Sequence, residues 1–207
     1  MTIAYIKNMN EKFWGHLQTI QTHRKWVRYY GEKADLSWWQ RFKHDLSKYS
    51  PTEFFESIKY YQGTSSPIDA AKKDKGYSDA WFHHRGRNPH HYEYWQDNFD
   101  QGGVPVQMPY KYAAELICDY LAAGRTYMGD KFTYHKEYEW WLNKRTNCAM
   151  HPHTKRFVSL VFKELKMRES ENWLEGYVND NLLTGRLMKG YYNLATRQLE
   201  KGIELDD

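Results

Sequence analysis

Met108–Arg125 reads MPYKYAAELICDYLAAGR. Its apolar residues Ala113, Leu116, Ile117, Tyr120 and Leu121 recur at three- and four-residue steps, which is the period of one face of an α-helix. Gly124 follows the last of them and predicts the stop. Asp119 lies inside this apolar pattern, so a carboxylate is carried on a helix otherwise suited to a core.

The same period marks the chain on both sides. Phe13, Leu17, Ile20, Val27 and Tyr30 predict a helix over Lys12–Tyr30, stopped by Gly31 and carrying His23. Asp35 or Ser37 can cap a second helix with Trp38, Trp39, Phe42 and Leu46, which places His44 and Asp45 in its last turns before Ser50-Pro51. Pro51 suits the first turn of a third helix, Thr52–Tyr61. Ile68–Arg85 reads as a helix broken near Gly76, and Pro89 can open another that continues through Phe99. Tyr134–Asn143 and His153–Met167 follow as helices, the latter introduced by His151-Pro152. Beyond Ser170 the pattern loosens into a final amphipathic stretch, Leu182–Glu200. No run alternates as a strand would. The expected class is therefore all-α, with a helical domain over 1–169 and a helical extension over 170–207 that packs on the domain or on a second copy, making a homodimer possible.

Composition narrows the function. A length of 207 residues suits one domain with a real core. Mean hydropathy of -0.94, with no apolar run of about 18 residues, argues against a membrane span. Met1–Asn10 lacks the apolar stretch of a signal peptide, so the expected compartment is the cytoplasm. Cys118 and Cys148 are the two cysteines, too few and too far apart for a disulfide framework. Cys148, His151 and His153 make only a thin zinc set that lacks a fourth ligand. The 30 basic and 26 acidic residues are interspersed, which argues against a nucleic-acid partner. Histidine stands out: four of the ten fall between His83 and His91.

His44 and Asp45 would project about 100° apart on a helix, able to approach one cation from adjacent directions. His23 from the preceding helix and Asp119 from a later one complete a set of two imidazoles and two carboxylates, with Glu115 one turn earlier as the competitor of Asp119. From the histidine cluster, His84 and His90 are the inward candidates and His91 a third. They serve either as ligands of a second metal or as phosphate-binding or general-acid groups. Asp79 can orient His83. Lys48, Arg87 and Arg125 are candidates to hold an anionic substrate. Glu53 is a candidate general base or an acid favoured by its helix start. Trp26, Trp81, Tyr92 and Trp95 can stack a nucleobase or fill the core.

The order His23, His44-Asp45, Asp119 on successive helices resembles the HD superfamily of metal-dependent phosphohydrolases. His44-Asp45-Leu46-Ser47-Lys48 is similar to that superfamily's His-Asp-hydrophobic-Gly-Lys form, with Ser47 in the glycine position. The stretch His83 to Glu93 is similar to the extra histidines of its multinuclear members. HDLSKYSPTEF (44–54), RNPHHYEYW (87–95) and His151-Pro152-His153-Thr154 resemble more closely a bacterial and phage domain family of unknown function. The superfamily resemblance implies an HD-like helical bundle binding one or two divalent ions, with Mn, Fe, Co, Ni, Mg and Zn all open. Asp45, Lys48, Glu53 and His84 are then the catalytic candidates, acting on a phosphate ester such as a nucleotide or signalling nucleotide. In a phage-encoded member the compartment is the host cytoplasm. Two alternatives stay open. One is a di-iron oxygenase using the same ligands on a small molecule. The other is a non-catalytic module that binds a nucleotide or protein around a structural metal.

Overall fold

The computed structural model describes residues 3–174 and 182–204. Nine α-helices run through the described residues: α1 (Ile3–Lys33), α2 (Trp38–Lys43), α3 (Pro51–Tyr60), α4 (Pro67–Lys75), α5 (Asp79–Arg85), α6 (Tyr110–Met128), α7 (Tyr134–Thr146), α8 (Pro152–Leu174) and α9 (Gly185–Glu200). The fold is all-α apart from two paired dipeptides, β1 (Gln96–Asp97) and β2 (Val104–Pro105), antiparallel with Gln96 opposite Pro105. None of the described helices is long and apolar enough to cross a membrane.

The patterned helix α6 is the axis of the molecule, with ten consecutive buried residues from Ala113 to Ala122. α1 packs along it, α8 crosses it, and α7 and α9 cover α8. Val27 and Tyr30 of α1, Leu116, Ile117 and Leu121 of α6, Trp141 of α7, and Phe157 and Phe162 of α8 meet in one core. The indole of Trp141 donates to Ser159 Oγ at 2.8 Å, so the buried ring's polar tip is satisfied. α9 lies on α8 and α6 of its own chain, where Tyr192 donates to the Met108 carbonyl at 2.8 Å. α8 continues through residue 170 to Leu174, so the loosened stretch begins as helix, and residues 175–181 fall outside the described residues.

Several boundaries differ from expectation, each for a local reason. Gly31 does not stop α1. The chain turns at Asp35, whose φ is 57°, while Gly31 admits Arg41 Cγ at 2.9 Å from where a β-carbon would sit. Gly124 does not stop α6 either. A β-carbon there would lie 2.8 Å from the Phe132 ring and on top of a Glu137 carboxyl oxygen, so the glycine admits the neighbouring layer to the helix backbone. The helix expected from Pro89 to Phe99 is absent. Positive φ values at Asn98, Gly102 and Gly103 bend this segment into the small hairpin. Trp95 closes it by donating its indole N–H to the Pro89 carbonyl at 2.7 Å. Most consequential, α2 ends at Lys43, so His44 and Asp45 do not lie in its last turns.

Candidate metal centre

The break after α2 is what aims the His44-Asp45 pair. Ser37 caps the helix by accepting from Gln40 N at 3.2 Å, and Arg24 of α1 ties its last turn down through the Phe42 carbonyl at 2.7 Å. His44 then takes φ -49° and ψ 124°, and Asp45 enters the left-handed region at φ 56° and ψ 23°. Aspartate tolerates that region better than most residues. A continuous helix would have splayed the two side chains; the kink buries both, at 2 % and 0 % exposure.

Two donor clusters that share Asp45 form around them, beside a third grouping of His44, His90 and Glu115. In the first, one donor atom each from His23, His44, Asp45 and Asp119 lies within 4.8 Å of the others; in the second, the same holds for Asp45, His84, His90 and His91. All seven side chains are buried. The two oxygens of Asp45 divide between the clusters. Oδ2 lies 3.2 Å from His23 Nε2 and 3.4 Å from His44 Nε2. Oδ1 lies 3.2 Å from His84 Nε2 and 3.4 Å from His90 Nε2. His23 Nε2 is 3.0 Å from Asp119 Oδ1, and His84 Nε2 faces His91 Nε2 at 2.9 Å. With donors about 2.1 Å from an ion, neighbouring corners of a tetrahedron or octahedron are roughly 3.0–3.4 Å apart, so these separations are those of a ligand cage. Both Asp45 oxygens and His90 Nε2 are buried without a hydrogen bond of proper geometry. Lys48 ion-pairs with Oδ2 at 2.7 Å, whereas Oδ1 has only the facing imidazoles, and a buried carboxylate oxygen so placed is costly unless a cation takes it. These buried His/Asp groups can hold metal ions, and the donor set fits them.

Carboxylates behind the rings set the imidazoles' orientation. Nδ1 of His44 donates to Glu115 Oε1 at 2.9 Å, Nδ1 of His90 faces the same oxygen at 3.3 Å, and Nδ1 of His84 donates to Glu53 Oε2 at 2.7 Å. Each bond holds Nδ1–H outward and turns Nε2 inward, the orientation a ligating imidazole requires once Nε2 has given up its proton. Burial opposes the charge of Glu115, yet the bonds from His44 and His90 hold its carboxyl down to about 2. Burial also opposes Asp45 and Asp119. For Asp45 the charges of His44, Lys48 and His84 prevail, for Asp119 the bonds from His23 and His44, and both carboxyls stay well below the usual carboxylate range. Glu115→Ala strips the outer partner from a ring in each cluster, so metal affinity at both is expected to fall about 10–100-fold. Competition with a metal-buffering chelator measures this, and an unchanged affinity at either cluster would show that Glu115 is dispensable there.

The clusters front a cavity of about 170 Å³ whose walls include His23, His84, His91 and Asp119. Lys48 enters it with Nζ 2.7 Å from Asp45 Oδ2, and Trp81 and Ile68 supply apolar wall. Ser66, Asp119, Ala123 and Tyr127 also border an outer cavity of about 540 Å³, bounded further by Tyr120, Met128, Glu137 and Trp140.

The remaining candidates sit as follows. Glu53 touches the inner cavity, but its oxygens accept from His83 and His84 at 2.6 and 2.7 Å, which makes it a positioning carboxylate instead of a free base. Asp79 pairs with Lys75 at 2.7 Å and does not orient His83. Arg125 bonds the Tyr30 hydroxyl at 3.0 Å, lies over Trp26 and Phe132, and lines neither cavity. Arg87 faces a different pocket, behind the histidines. His153 turns to Thr196 Oγ1 at 2.9 Å, away from any zinc set with Cys148. Of the four rings considered for stacking, Trp81 alone reaches the inner cavity. His16, by contrast, was not among the expected residues. It lines that cavity seven residues before His23, and its Nδ1 has no partner. The i, i+7 spacing on α1 is the signal that locates it. Burial, and then the charge of Lys48, lower it to about 4 and keep it neutral.

No curated protein and no solved structure matches the chain. A family model does, over residues 12–164, described as a family of unknown function (DUF5662). That span holds α1 from Lys12, both donor clusters and their outer carboxylates, and the chain belongs to the DUF5662 family.

Proposed function

We propose that the chain is a divalent-metal-dependent phosphohydrolase of the HD type, acting on a phosphate ester whose organic part carries a ring, as a nucleotide does. The observation that carries this reading is the division of one buried carboxylate, Asp45, between two donor clusters that open on a single small chamber. Two divalent ions held there would supply Lewis acidity toward phosphoryl oxygens and lower the pKa of a water enough to attack phosphorus at neutral pH.

The chain's own groups suit the rest of that reaction. Lys48 is the one cation among the described residues lining the chamber, placed to offset charge on the non-bridging oxygens of a transferred phosphoryl group. His16, neutral and lacking a partner at Nδ1, has capacity for a further hydrogen bond. Glu53 and Glu115 hold the imidazoles in one tautomer throughout. A chamber of about 170 Å³ has the volume of roughly six liquid waters. It accommodates a phosphoryl group, while the leaving group extends past Tyr127 into the outer cavity, where Tyr120 and Trp140 offer ring faces.

A second reading has one observation in its favour. Three imidazoles, His84, His90 and His91, make the second cluster nitrogen-rich, which suits iron better than magnesium and keeps a di-iron oxygenase open. One experiment separates the two: elemental analysis of the purified protein beside phosphate release from nucleotides and p-nitrophenyl phosphate, with oxygen consumption recorded in parallel. Metal-dependent phosphate release without oxygen uptake is expected. Oxygen uptake with bound iron and no phosphate release would replace the hydrolase with the oxygenase.

A further inference from the structure

The histidine wall has a second side. His44, His90 and Glu115 border a pocket of about 330 Å³ that shares no lining residue with the metal chamber. Three cations ring it, Lys43 from the end of α2, Arg87 from the loop after α5, and Lys111 from the first turn of α6. None of the three pairs with a carboxylate among the described residues. Lys43 rests 5.6 Å over the Trp39 ring, Lys111 4.5 Å over Tyr112, and Arg87 donates to the His83 carbonyl at 3.3 Å. The carboxylate in the pocket, Glu115, is already engaged by His44 and by Gln40 at 2.6 Å. Trp39, 61 % exposed, and Tyr112 bring aromatic surface to the same concavity.

We propose that this rear pocket is a second binding site, for a free nucleoside polyphosphate, distinct from the metal chamber. The volume falls in the range of small-molecule sites. Unpaired ammonium and guanidinium groups converging on one hollow suit a multiply charged phosphate chain, and an exposed indole beside them offers a stacking face for a base. The three cations and Trp39 belong to neither donor cluster, so the inference can fail without the hydrolase reading failing, although His44 and His90, members of those clusters, form the wall between the two sites.

Calorimetric titration of the metal-loaded protein with a non-hydrolysable ATP analogue tests it, with inorganic triphosphate and a twelve-nucleotide single strand as companion probes. Lys43→Ala and Lys111→Ala are each expected to weaken the analogue at least about tenfold, as loss of a charge-assisted bond does. Trp39→Ala should weaken the analogue but not triphosphate, and Lys48→Ala, in the chamber, should leave the rear affinity unchanged. Absence of binding overturns the proposal, as does binding that responds to Lys48→Ala and ignores the rear variants. Triphosphate binding as tightly as the analogue removes the nucleoside from it. Tighter binding of the strand, with a steeper salt dependence, replaces the free nucleotide with nucleic acid.

Discussion

If two ions are held as proposed, Asp45→Asn is expected to weaken both donor clusters and to empty at least one of them. Each carboxylate oxygen serves a different cluster, so the substitution keeps at most one oxygen acceptor and turns an N–H₂ donor toward imidazoles that need an acceptor or a shared cation. It also deletes the negative charge against which Lys48 sits at 2.7 Å, leaving that ammonium facing the remaining ligands without its partner. Metal content should fall from two ions per chain to one or none, and metal-dependent turnover by roughly a thousandfold or more, as when one member of a mutually dependent constellation is removed. His83→Ala is the matched comparison. His83 bonds the same Glu53 as His84 but belongs to neither cluster, so its loss should leave two ions bound. Elemental analysis of both variants, alongside circular dichroism to establish folding, decides the matter. Two ions retained in folded Asp45→Asn would mean that Asp45 does not bridge.

What the sequence discloses about this centre, and what it withholds, follows from the range of each signal. Helical signals are local and strong, so α1 and α6 are legible from the periodic Val27 and Leu116 and their neighbours, and α3 and α8 from the prolines that open them, Pro51 and Pro152. The order of chemistry-bearing residues along the chain is legible too: His23, His44, Asp45, His84, His90, His91 and Asp119 converge although they are spread from residue 23 to residue 119. Direction is not legible. The left-handed turn at Asp45 is only weakly marked by residue type: aspartate is disfavoured in a helix's last turn and tolerates the left-handed region better than most residues, but neither preference fixes where the helix ends. Glu115 and Asp119 lie one turn apart on α6, and only the packed structure assigns one to the back of the imidazoles and the other to the front. Arg87 follows His84 by three residues and yet emerges on the opposite side of the wall. Gly31 and Gly124 carry the residue type of a helix stop for a different reason, the close approach of Arg41, Phe132 and Glu137 to a backbone lacking a β-carbon.

Glu137 carries the second large expected effect, through stability and pH. Its side chain is 4 % exposed where α7 meets α6 beside Gly124. Burial, reinforced by the charge of Asp119, raises its carboxyl from 4.5 to about 8. The folded protein therefore holds this group protonated at neutral pH, whereas the unfolded chain ionises it near 4.5. The folded state binds the extra proton, so the contribution to stability is fully present below pH 4.5 and is lost as pH climbs through the window up to about 8. At about 1.4 kcal/mol per pH unit across that window, the loss approaches ~5 kcal/mol as an upper limit, a large share of a domain's stability. Glu137→Gln keeps the size and polarity and removes the ionisation. Urea unfolding at pH 5 and pH 8.5 should show the wild type losing several kcal/mol more than the variant between the two conditions, because every other titrating group is common to both. Parallel losses in the two proteins would place the Glu137 proton in solvent reach and remove burial as the cause of its retention.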